Sequence, residues 1–381
     1  MDLAPSPEQQ QLRETLRRLL DRRLAGSVEE LPAPPRHDSG RALDDALAVG
    51  LTTLGLPESV GGFGTFSDLV VAHEELGRGL AAPLLATLTL AGRLVLRVAG
   101  ADAAMLPDLV AGRLTATPAL AEGPDPSALA TVVTRAGDQV RIDGRKSRVV
   151  CGRDVDELLV SGRDAGTGAE LVVRVPVDAP ELEWTEEQAD CDVPSWRVGL
   201  RGVTVPAAGV LGSATGLAAY GTDATVLAAA RHVGGGHAVL SRTIEHVKAR
   251  EQFGRAIGSF QAVQHQLADA ATELDAAALA VAQAAWAVDA GPSPVEAERL
   301  AVVAALAAGA AFRRTTLVAH QLHGGMGFVL DSPLHLWSAR AIADPTTPWS
   351  RRHLLDRLSA ANGVTAGAVS VPPDHRLATS R

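Results

Sequence analysis

With 381 residues, the chain is too long for one small core and is expected to form two or three domains. Its content of 46% hydrophobic and 21% charged residues is typical of a soluble globular protein and argues against intrinsic disorder. The formal net charge of −9 argues against nucleic acid as a partner.

The N-terminal part of the chain has the pattern of a small helical bundle. Ser6, Pro7 and Gln9 form a helix start, in which serine caps the helix, proline occupies the first turn and glutamine completes a capping box. Further helical patterns begin near Leu43 and cover residues 68–80 and 83–98. We therefore predict an N-terminal helical domain over residues 1–114.

From about Thr115 the helical period gives way to alternation of apolar and polar residues. Residues 130–134 and 139–143 flank Gly137-Asp138, a pair that is typical of a tight hairpin turn. Further strands are predicted at residues 146–150, 157–161, 170–177 and 198–205. Several short strands at this spacing indicate a small antiparallel barrel or sandwich, which we place at residues 115–212.

Alanine-rich helical patterns dominate the rest of the chain. They cover about residues 227–248, 263–288, 295–322 and 333–343. Four long helices with short connections predict an up-and-down bundle over residues 213–362. Residues 363–381 carry turn formers without a sustained pattern, and we expect a flexible tail there. The sequence therefore predicts an α+β fold in the order helical, β, helical.

Other features limit the compartment and the class of cofactor. The longest apolar run, residues 300–312, is shorter than the roughly 18 residues that a membrane span needs. The N-terminus has neither the basic nor the apolar region of a signal peptide, so we expect a cytoplasmic protein without a membrane partner. Cys151 and Cys191 show no metal-ligand or disulfide spacing, and we expect reduced thiols and no metal site.

A charged turn between two predicted helices is the most informative stretch of the chain. It covers residues 248–265 and reads KAREQFGRAIGSFQAVQH. Arg250 and Arg255 are suited to binding a phosphate, and Gln252 and Gln261 can both donate and accept hydrogen bonds. The alternative is a surface hairpin whose arginines only cap helix carbonyls.

The run R-x-Q-F-G-R-x-I-x-x-F-Q-x-V-Q-H in this turn closely resembles the signature of the acyl-CoA dehydrogenases, flavoproteins that introduce a Cα–Cβ double bond into acyl-CoA thioesters. Two distant stretches resemble the same family: residues 55–78, with G-L-P-E, G-G-F-G and E-E-L-G-R, and residues 321–328, Q-L-H-G-G-M-G-F. The resemblance extends over nearly the full length. It implies the same helical, β, helical architecture, with FAD as cofactor, acyl-CoA as substrate and an electron-transfer flavoprotein as electron acceptor.

The resemblance also implies which residues hold the cofactor. In the family, the flavin ring lies between the β domain and the C-terminal bundle, and the dinucleotide end is held partly by the neighbouring subunit. The positions that match the phosphate and adenine end are Arg250, Gln252, Phe253, Gln261, Gln321, Gly324 and Gly325. The alternative role of the two glycines is to let two helices approach closely.

The β domain departs from the family pattern where the flavin ring would bind. The usual loop Thr/Ser-Glu-Pro-x-x-Gly-Ser-Asp becomes A-L-A-E-G-P-D at residues 119–125, without a hydroxyl group. In the usual stretch Trp-Ile-Thr/Ser-Asn-Gly, Arg148 stands at the Trp position and Val150 at the Thr position. Because valine cannot donate a hydrogen bond to the ring, the sequence predicts an incomplete ring site.

The glutamate that abstracts the α-proton in the family is also missing. Ungapped counting places one of its two known positions at Ala224, and the other, in the loop at residues 343–350, holds no glutamate. Asp223 and Asp344 are the candidate replacements. Asp223 is alternatively a helix cap, because one helical step turns a side chain by about 100° away from the face of the glutamate. Asp344 is alternatively a solvated loop acid.

These departures resemble the non-catalytic partner in two-gene bacterial acyl-CoA dehydrogenases, whose α2β2 tetramers act on bulky acyl-CoAs such as those of sterol side chains. The resemblance implies a sister subunit that supplies the base, while this chain holds the dinucleotide end of FAD. Two alternatives remain open: a homotetrameric dehydrogenase that uses Asp223 or Asp344 as its base, and a non-redox or scaffolding protein on the same fold.

Overall fold

The computed structural model describes residues 3–25, 39–123, 129–187, 191, 193–291, 293–330, 332–343 and 350–362. The N-terminal layer within these ranges consists of helices α1 (Pro7–Ala25), α2 (Ser39–Ala48), α3 (Phe66–Arg78), α4 (Pro83–Ala99) and α5 (Leu106–Val110). The predicted start of α1 is confirmed by two hydrogen bonds. The backbone N–H of Gln9 donates to Ser6 Oγ at 3.2 Å, and the backbone N–H of Ser6 donates to Gln9 Oε1 at 3.1 Å. The tail predicted at residues 363–381 lies outside the described residues.

The middle of the chain forms an eight-stranded sheet in the order β6-β7-β3-β2-β4-β5-β8, with β1 paired to β4. The strands are β1 (Ala116–Ala119), β2 (Val132–Ala136), β3 (Gln139–Val150), β4 (Glu157–Asp164), β5 (Glu170–Pro176), β6 (Leu182–Glu187), β7 (Ser195–Pro206) and β8 (Val210–Ser213). The predicted hairpin is confirmed, since Ala136 pairs with Gln139 across its turn.

Two features of this sheet depart from the predicted antiparallel barrel. Strands β1 and β2 both run parallel to β4, whereas the other pairings are antiparallel. The edge strands β6 and β8 do not pair with each other among the described residues, so the sheet is open. The predicted strands over residues 139–143 and 146–150 are one continuous strand, β3, with irregular pairing to β7.

The C-terminal layer contains α6 (Ala214–Ala249), α7 (Gln261–Ala290), α8 (Pro294–His323), α9 (Leu334–Ala343) and α10 (Arg351–Ala361). A short hairpin of β9 (Glu251–Gln252) and β10 (Arg255–Ala256) connects α6 to α7. All four predicted helices are present. However, α6 begins well before the predicted start at residue 227, and α10 was not predicted. None of the described helices has the length and hydrophobicity that a membrane crossing requires.

One hydrophobic core runs through both helical layers. Leu16, Leu69 and Leu94 of the N-terminal layer belong to the same buried cluster as Leu227 and Leu274 of the C-terminal layer, and each of them has 0% exposure. Full burial of one leucine contributes about 1.5–3 kcal/mol, so the contact between the layers is a major part of the stability of the fold. The inner face of the sheet forms a second, separate cluster.

Two glycines bring α3 and α6 into backbone contact. A Cβ on Gly77 of α3 would lie 2.0 Å from the Arg231 carbonyl oxygen, and a Cβ on Gly234 of α6 would lie 1.7 Å from the Glu74 carbonyl oxygen. Both distances are far below van der Waals contact, so both positions require glycine. Packing therefore explains the glycine in the stretch E-E-L-G-R, and it fixes one face of α6 against the N-terminal layer.

Candidate functional site

A cavity of about 420 Å³ lies where the sheet meets the C-terminal helices. From α6 it is lined by Thr225, Ala228, Ala229 and His232, whose spacing places them on one helix face. The other walls come from β3, α8, the end of α9 and the start of α10. The cavity is therefore located between the β domain and the C-terminal helices, where the family resemblance predicts the flavin ring.

Four arginines line this cavity: Arg148 of β3, Arg313 of α8, Arg340 of α9 and Arg351 of α10. No aspartate or glutamate lines it among the residues that the structure describes. An acyl-CoA dehydrogenase reaction needs a carboxylate base at the substrate. The described part of the lining does not supply one.

The strand residue Arg148 has a backbone conformation that is unusual for a residue with a side chain. Its φ is 56°, in the left-handed region, and its amide donates to the Glu187 carboxylate at 2.6 Å. The nearby Val150 is 6% exposed and carries no hydrogen-bonding group on its side chain. A guanidinium at the position of the family tryptophan and a buried valine at that of the threonine do not fit the flavin ring.

The charged turn and the paired glycines lie side by side in this chain. Arg250 follows the end of α6 and Gly324 follows the end of α8. One turn before Arg250, the ring of His246 stacks on that of His323 with their centroids 4.0 Å apart. We call this region the dinucleotide corner. The sequence-predicted residues that are exposed at its two segments are Arg250, Gln252, Phe253, Gln261, Gln321, Gly324 and Gly325.

The dinucleotide corner has the chemistry of a binding surface for FAD. Its arginine and glutamine side chains can donate hydrogen bonds to phosphate and adenine groups. A Cβ on Gly324 or Gly325 would meet nothing within 4 Å among the described residues, so close helix packing within the chain does not explain either glycine. The residues of this corner fit the phosphate and adenine end of FAD.

Large apolar side chains are exposed around the same corner. Phe253 is 92% exposed, Phe328 76%, Leu330 62% and Met326 57%. Exposed apolar groups of this size, when they cluster, mark surfaces that contact another protein or a ligand. The corner is therefore a candidate subunit interface as well as a candidate cofactor site.

Asp223, one of the two candidate bases, is held in a buried ion pair. It is 0% exposed; its Oδ2 atom accepts hydrogen bonds from Arg93 and Arg97 of α4 at 2.6 to 2.9 Å, and its Oδ1 atom accepts one from Arg97 at 2.8 Å. Arg93 also donates to the Gly55 carbonyl at 2.7 Å, which explains the position of the G-L-P-E stretch. Asp223 does not line the cavity.

The alternative prediction that Asp223 caps a helix is wrong, because α6 begins at Ala214 and Asp223 lies well inside it. Its carboxylate connects the two helical layers instead of capping a helix or facing the cavity. Asp344, the other candidate base, lies outside the described residues.

A buried ion pair that sequence reasoning missed lies behind the β-domain loop. Lys146 is 0% exposed, and its Nζ donates to Glu122 at 2.6 Å and to Ser161 at 3.0 Å. Burial lowers the pKa of Lys146 to about 8, while the Lys146 ammonium helps to keep the pKa of Glu122 below its ordinary value. The pair attaches the loop to β3. A lysine in a strand, two residues after Gly144, was the available signal.

The histidine stack at the dinucleotide corner is expected to make stability sensitive to acid. Burial, together with the neighbouring His246 and His320, lowers the pKa of His323 to about 4. An unfolded histidine titrates near 6.5, so the unfolded state binds more protons between about pH 6.5 and 4. The contribution of His323 to stability is therefore complete above pH 6.5 and is lost as the pH falls through 4.

We expect the variant His323→Gln to lose less free energy of unfolding than the wild type between pH 7 and pH 4.5. Urea denaturation at the two pH values measures this difference. His265→Gln, at an exposed position of α7, is the matched control and is expected to behave as the wild type. An equal loss in wild type and His323→Gln would contradict the assignment.

Comparison with known proteins gives consistent matches over the chain. Residues 6–113 match the family model described as acyl-CoA dehydrogenase, N-terminal domain, and residues 224–346 match the one described as acyl-CoA dehydrogenase, C-terminal domain. The acyl-CoA dehydrogenase IpdE2 of Mycobacterium tuberculosis is 31% identical to this chain, over 94% of this chain and 98% of its own length.

Solved structures share the complete fold. A chain of the ChsE4-ChsE5 complex from Mycobacterium tuberculosis superposes with a TM-score of 0.84 at 25% identity, covering 96% of this chain and 100% of its own. A chain from a variant of the Tcur3481-Tcur3483 steroid ACAD has a TM-score of 0.81 at 28% identity, covering 93% of this chain and 98% of its own. The similarity therefore includes both helical layers and the sheet between them.

Proposed function

The chain belongs to the acyl-CoA dehydrogenase family, and we propose that it is the subunit of a heteromeric FAD-dependent enzyme that binds the dinucleotide end of FAD for a sister subunit. The sister subunit would supply the flavin-ring pocket and the glutamate base. The observation that carries the proposal is the contrast between the two sites of this chain. The dinucleotide corner keeps its donors, whereas the cavity is lined by four arginines and by no acid among the described residues.

The residues of the dinucleotide corner would act by binding and orienting the cofactor. Arg250 would bind a phosphate through its guanidinium group, and Gln252 and Gln321 would hydrogen-bond to the polar edge of the nucleotide. Gly324 and Gly325 leave their backbone open to close approach. FAD held by these residues would supply a hydride acceptor for the oxidation of an acyl-CoA, and an electron-transfer flavoprotein is the proposed electron acceptor.

The relatives support a heteromer with a bulky substrate. ChsE4-ChsE5 is a complex of two differently named chains, and Tcur3481-Tcur3483, also a pair of names, is described as a steroid ACAD. Both chains that match here do so over nearly their full length. We therefore propose an acyl-CoA with a steroid-type acyl group as the substrate and an α2β2 tetramer as the assembly.

A homotetramer that uses Asp223 as its base is less well supported by the structure. Two guanidinium groups occupy both oxygens of this carboxylate, and the side chain is fully buried. To accept a proton from a substrate, Asp223 would have to leave both arginines, which would leave the buried charge of Arg93 without this partner. The ion pair therefore favours the heteromer.

The test is the absorption spectrum of the purified chain, alone and after co-expression with a sister acyl-CoA dehydrogenase subunit that carries the glutamate. We expect the chain alone to be colourless and inactive with an acyl-CoA and an artificial electron acceptor. The complex should be yellow and active, with one flavin per heterodimer. A chain that is yellow and active alone would indicate the homotetramer. A colourless complex would indicate a binding or scaffolding protein.

A further inference from the structure

We infer that the cavity between β3 and the C-terminal helices is a binding site for a small polyanion, a molecule with several phosphate or carboxylate groups. Arg313 and Arg351 are its principal ligands, and Arg148 and Arg340 complete the lining. This inference goes beyond the proposed function, because it concerns the cavity of this chain and not the dinucleotide corner.

Among the described residues, the two principal arginines have no acidic partner, whereas two other arginines of α8 and α10 are paired with acids. The adjacent Arg314 lies on the exposed side of α8 and pairs with Glu273 at 2.6 Å. In α10, Arg357 pairs with Glu298 at 2.5 Å. Neither Arg313 nor Arg351 has a carboxylate within ion-pair distance among the described residues. Outside the cavity, Arg314 and Arg357 are thus neutralised by acids.

The charge in the cavity favours an anion over any neutral ligand. Arginine stays protonated at every physiological pH, so the lining carries several positive charges in a partly enclosed space. A neutral ring or an acyl chain would remove water from these guanidinium groups without replacing its hydrogen bonds, which is unfavourable. Phosphate and carboxylate groups instead match the planar fork of a guanidinium with two parallel hydrogen bonds.

The shape of the cavity fits a small molecule. Its volume of about 420 Å³ lies near the lower end of the range of about 300–1,000 Å³ that is usual for ligand pockets. The cavity is open because several of its lining residues have small side chains or none, among them Ala228, Ala229 and Gly309. The first turn of α10, capped by Ser350, also lines the cavity, and the positive end of this helix dipole adds to the attraction for an anion.

The experiment is calorimetric titration of the full-length chain with inorganic pyrophosphate and, separately, with citrate. It is done in the Arg250→Gln background, so that the dinucleotide corner does not contribute to binding. We expect one site, with Arg313→Gln and Arg351→Gln each weakening the affinity at least about tenfold, equivalent to about 1.4 kcal/mol. The matched controls Arg314→Gln and Arg352→Gln, adjacent positions that do not line the cavity, should change the affinity less than about threefold.

The two probes distinguish the chemical source of the anion. Tighter binding of pyrophosphate assigns the site to a phosphate ligand, and tighter binding of citrate assigns it to a polycarboxylate. Absence of binding by both probes, or equal weakening by the cavity variants and their controls, would overturn the inference. Because these outcomes do not involve flavin or a sister subunit, they are independent of the proposed function.

A second measurement uses the protein with all four cavity arginines unchanged, so that it does not depend on whether a variant folds. The affinity for pyrophosphate is expected to decrease as sodium chloride is added, because salt screens the attraction between the anion and the arginines. An affinity that does not depend on salt would overturn the inference. Circular dichroism melting curves of all variants show which of them are folded.

Discussion

The variant Asp223→Asn is expected to lose about 3–5 kcal/mol of its free energy of unfolding, the usual cost of removing one partner from a buried ion pair. Asparagine has nearly the same shape as aspartate, so the decrease in the free energy of unfolding reports the effect of removing the charge. Arg93 is 7% exposed at its side chain and would face a neutral amide in place of the carboxylate whose Oδ2 atom it now contacts. Urea denaturation at pH 7 measures the difference.

Asp269→Asn is the matched control for this measurement. Asp269 is exposed and pairs with Arg314 at 3.6 Å, so its replacement is expected to change stability little. The result that would contradict our view of Asp223 is a variant as stable as the wild type but without dehydrogenase activity. That result would make Asp223 the catalytic base and would restore the homotetramer.

In the proposed complex with a sister subunit, Arg250→Gln is expected to weaken the binding of FAD by about 10- to 150-fold. This range corresponds to the loss of one charged hydrogen bond, about 1.5–3 kcal/mol. Arg250 is exposed in the lone chain, so its replacement should leave the thermal stability of the chain unchanged. The flavin absorbance per protein after gel filtration, and a titration of the flavin-free complex with FAD, measure the effect.

Lys248→Gln provides a control two residues away on the same surface. Lys248 pairs with Glu245 at 2.9 Å within α6 and matches no cofactor position of the family. It is expected to retain flavin as the wild type does, which would exclude a general effect of lowering the positive charge. Full flavin content in Arg250→Gln would contradict the assignment of Arg250 to the cofactor.

Local signals in the sequence were sufficient for most of the fold. The capping box at Ser6, the turn at Gly137-Asp138 and the long alanine-rich stretches each depend on neighbouring residues, and each is present in the structure. The short strands β1, β6 and β8 were missed. Strand β6 is only partly buried and reads L-E-W-T-E-E, so it gives little apolar signal. The parallel pairing of β1 with β4 is set by tertiary contacts that local periodicity does not report.

The start of α6 was missed because packing overrides local propensity there. Gly216 and Gly221 weaken the helical pattern. At Gly216, a Cβ would lie 2.2 Å from the Arg97 carbonyl oxygen, so contact with α4 requires a residue that is unfavourable for a helix. For the same reason the sequence placed Asp223 at a helix end, where it would be a cap.

The dinucleotide corner was predictable, whereas most of the cavity was not. The corner is encoded in two short motifs, so their residues could be numbered before the structure was known. The cavity combines side chains from a strand and from helices far apart in sequence, and of its four arginines the sequence matched only Arg148 to a position of the flavin-ring site. The pairs Arg313-Arg314 and Arg351-Arg352 resemble solvated surface charge, and only tertiary packing decides which member of each pair faces inward.

The two sides of helix α6 have different roles: one side packs against the N-terminal layer and stabilises the fold, and the other lines the cavity. Asp223 and Gly234 are about three turns apart and contact the N-terminal layer, whereas Thr225, Ala228 and His232 lie about half a turn around the helix and line the cavity. After a gene duplication, mutations on the second side can therefore accumulate while selection for foldability acts on the first. In this way one copy of an oxidoreductase can lose its own catalytic activity and still be retained as a folded, non-catalytic subunit.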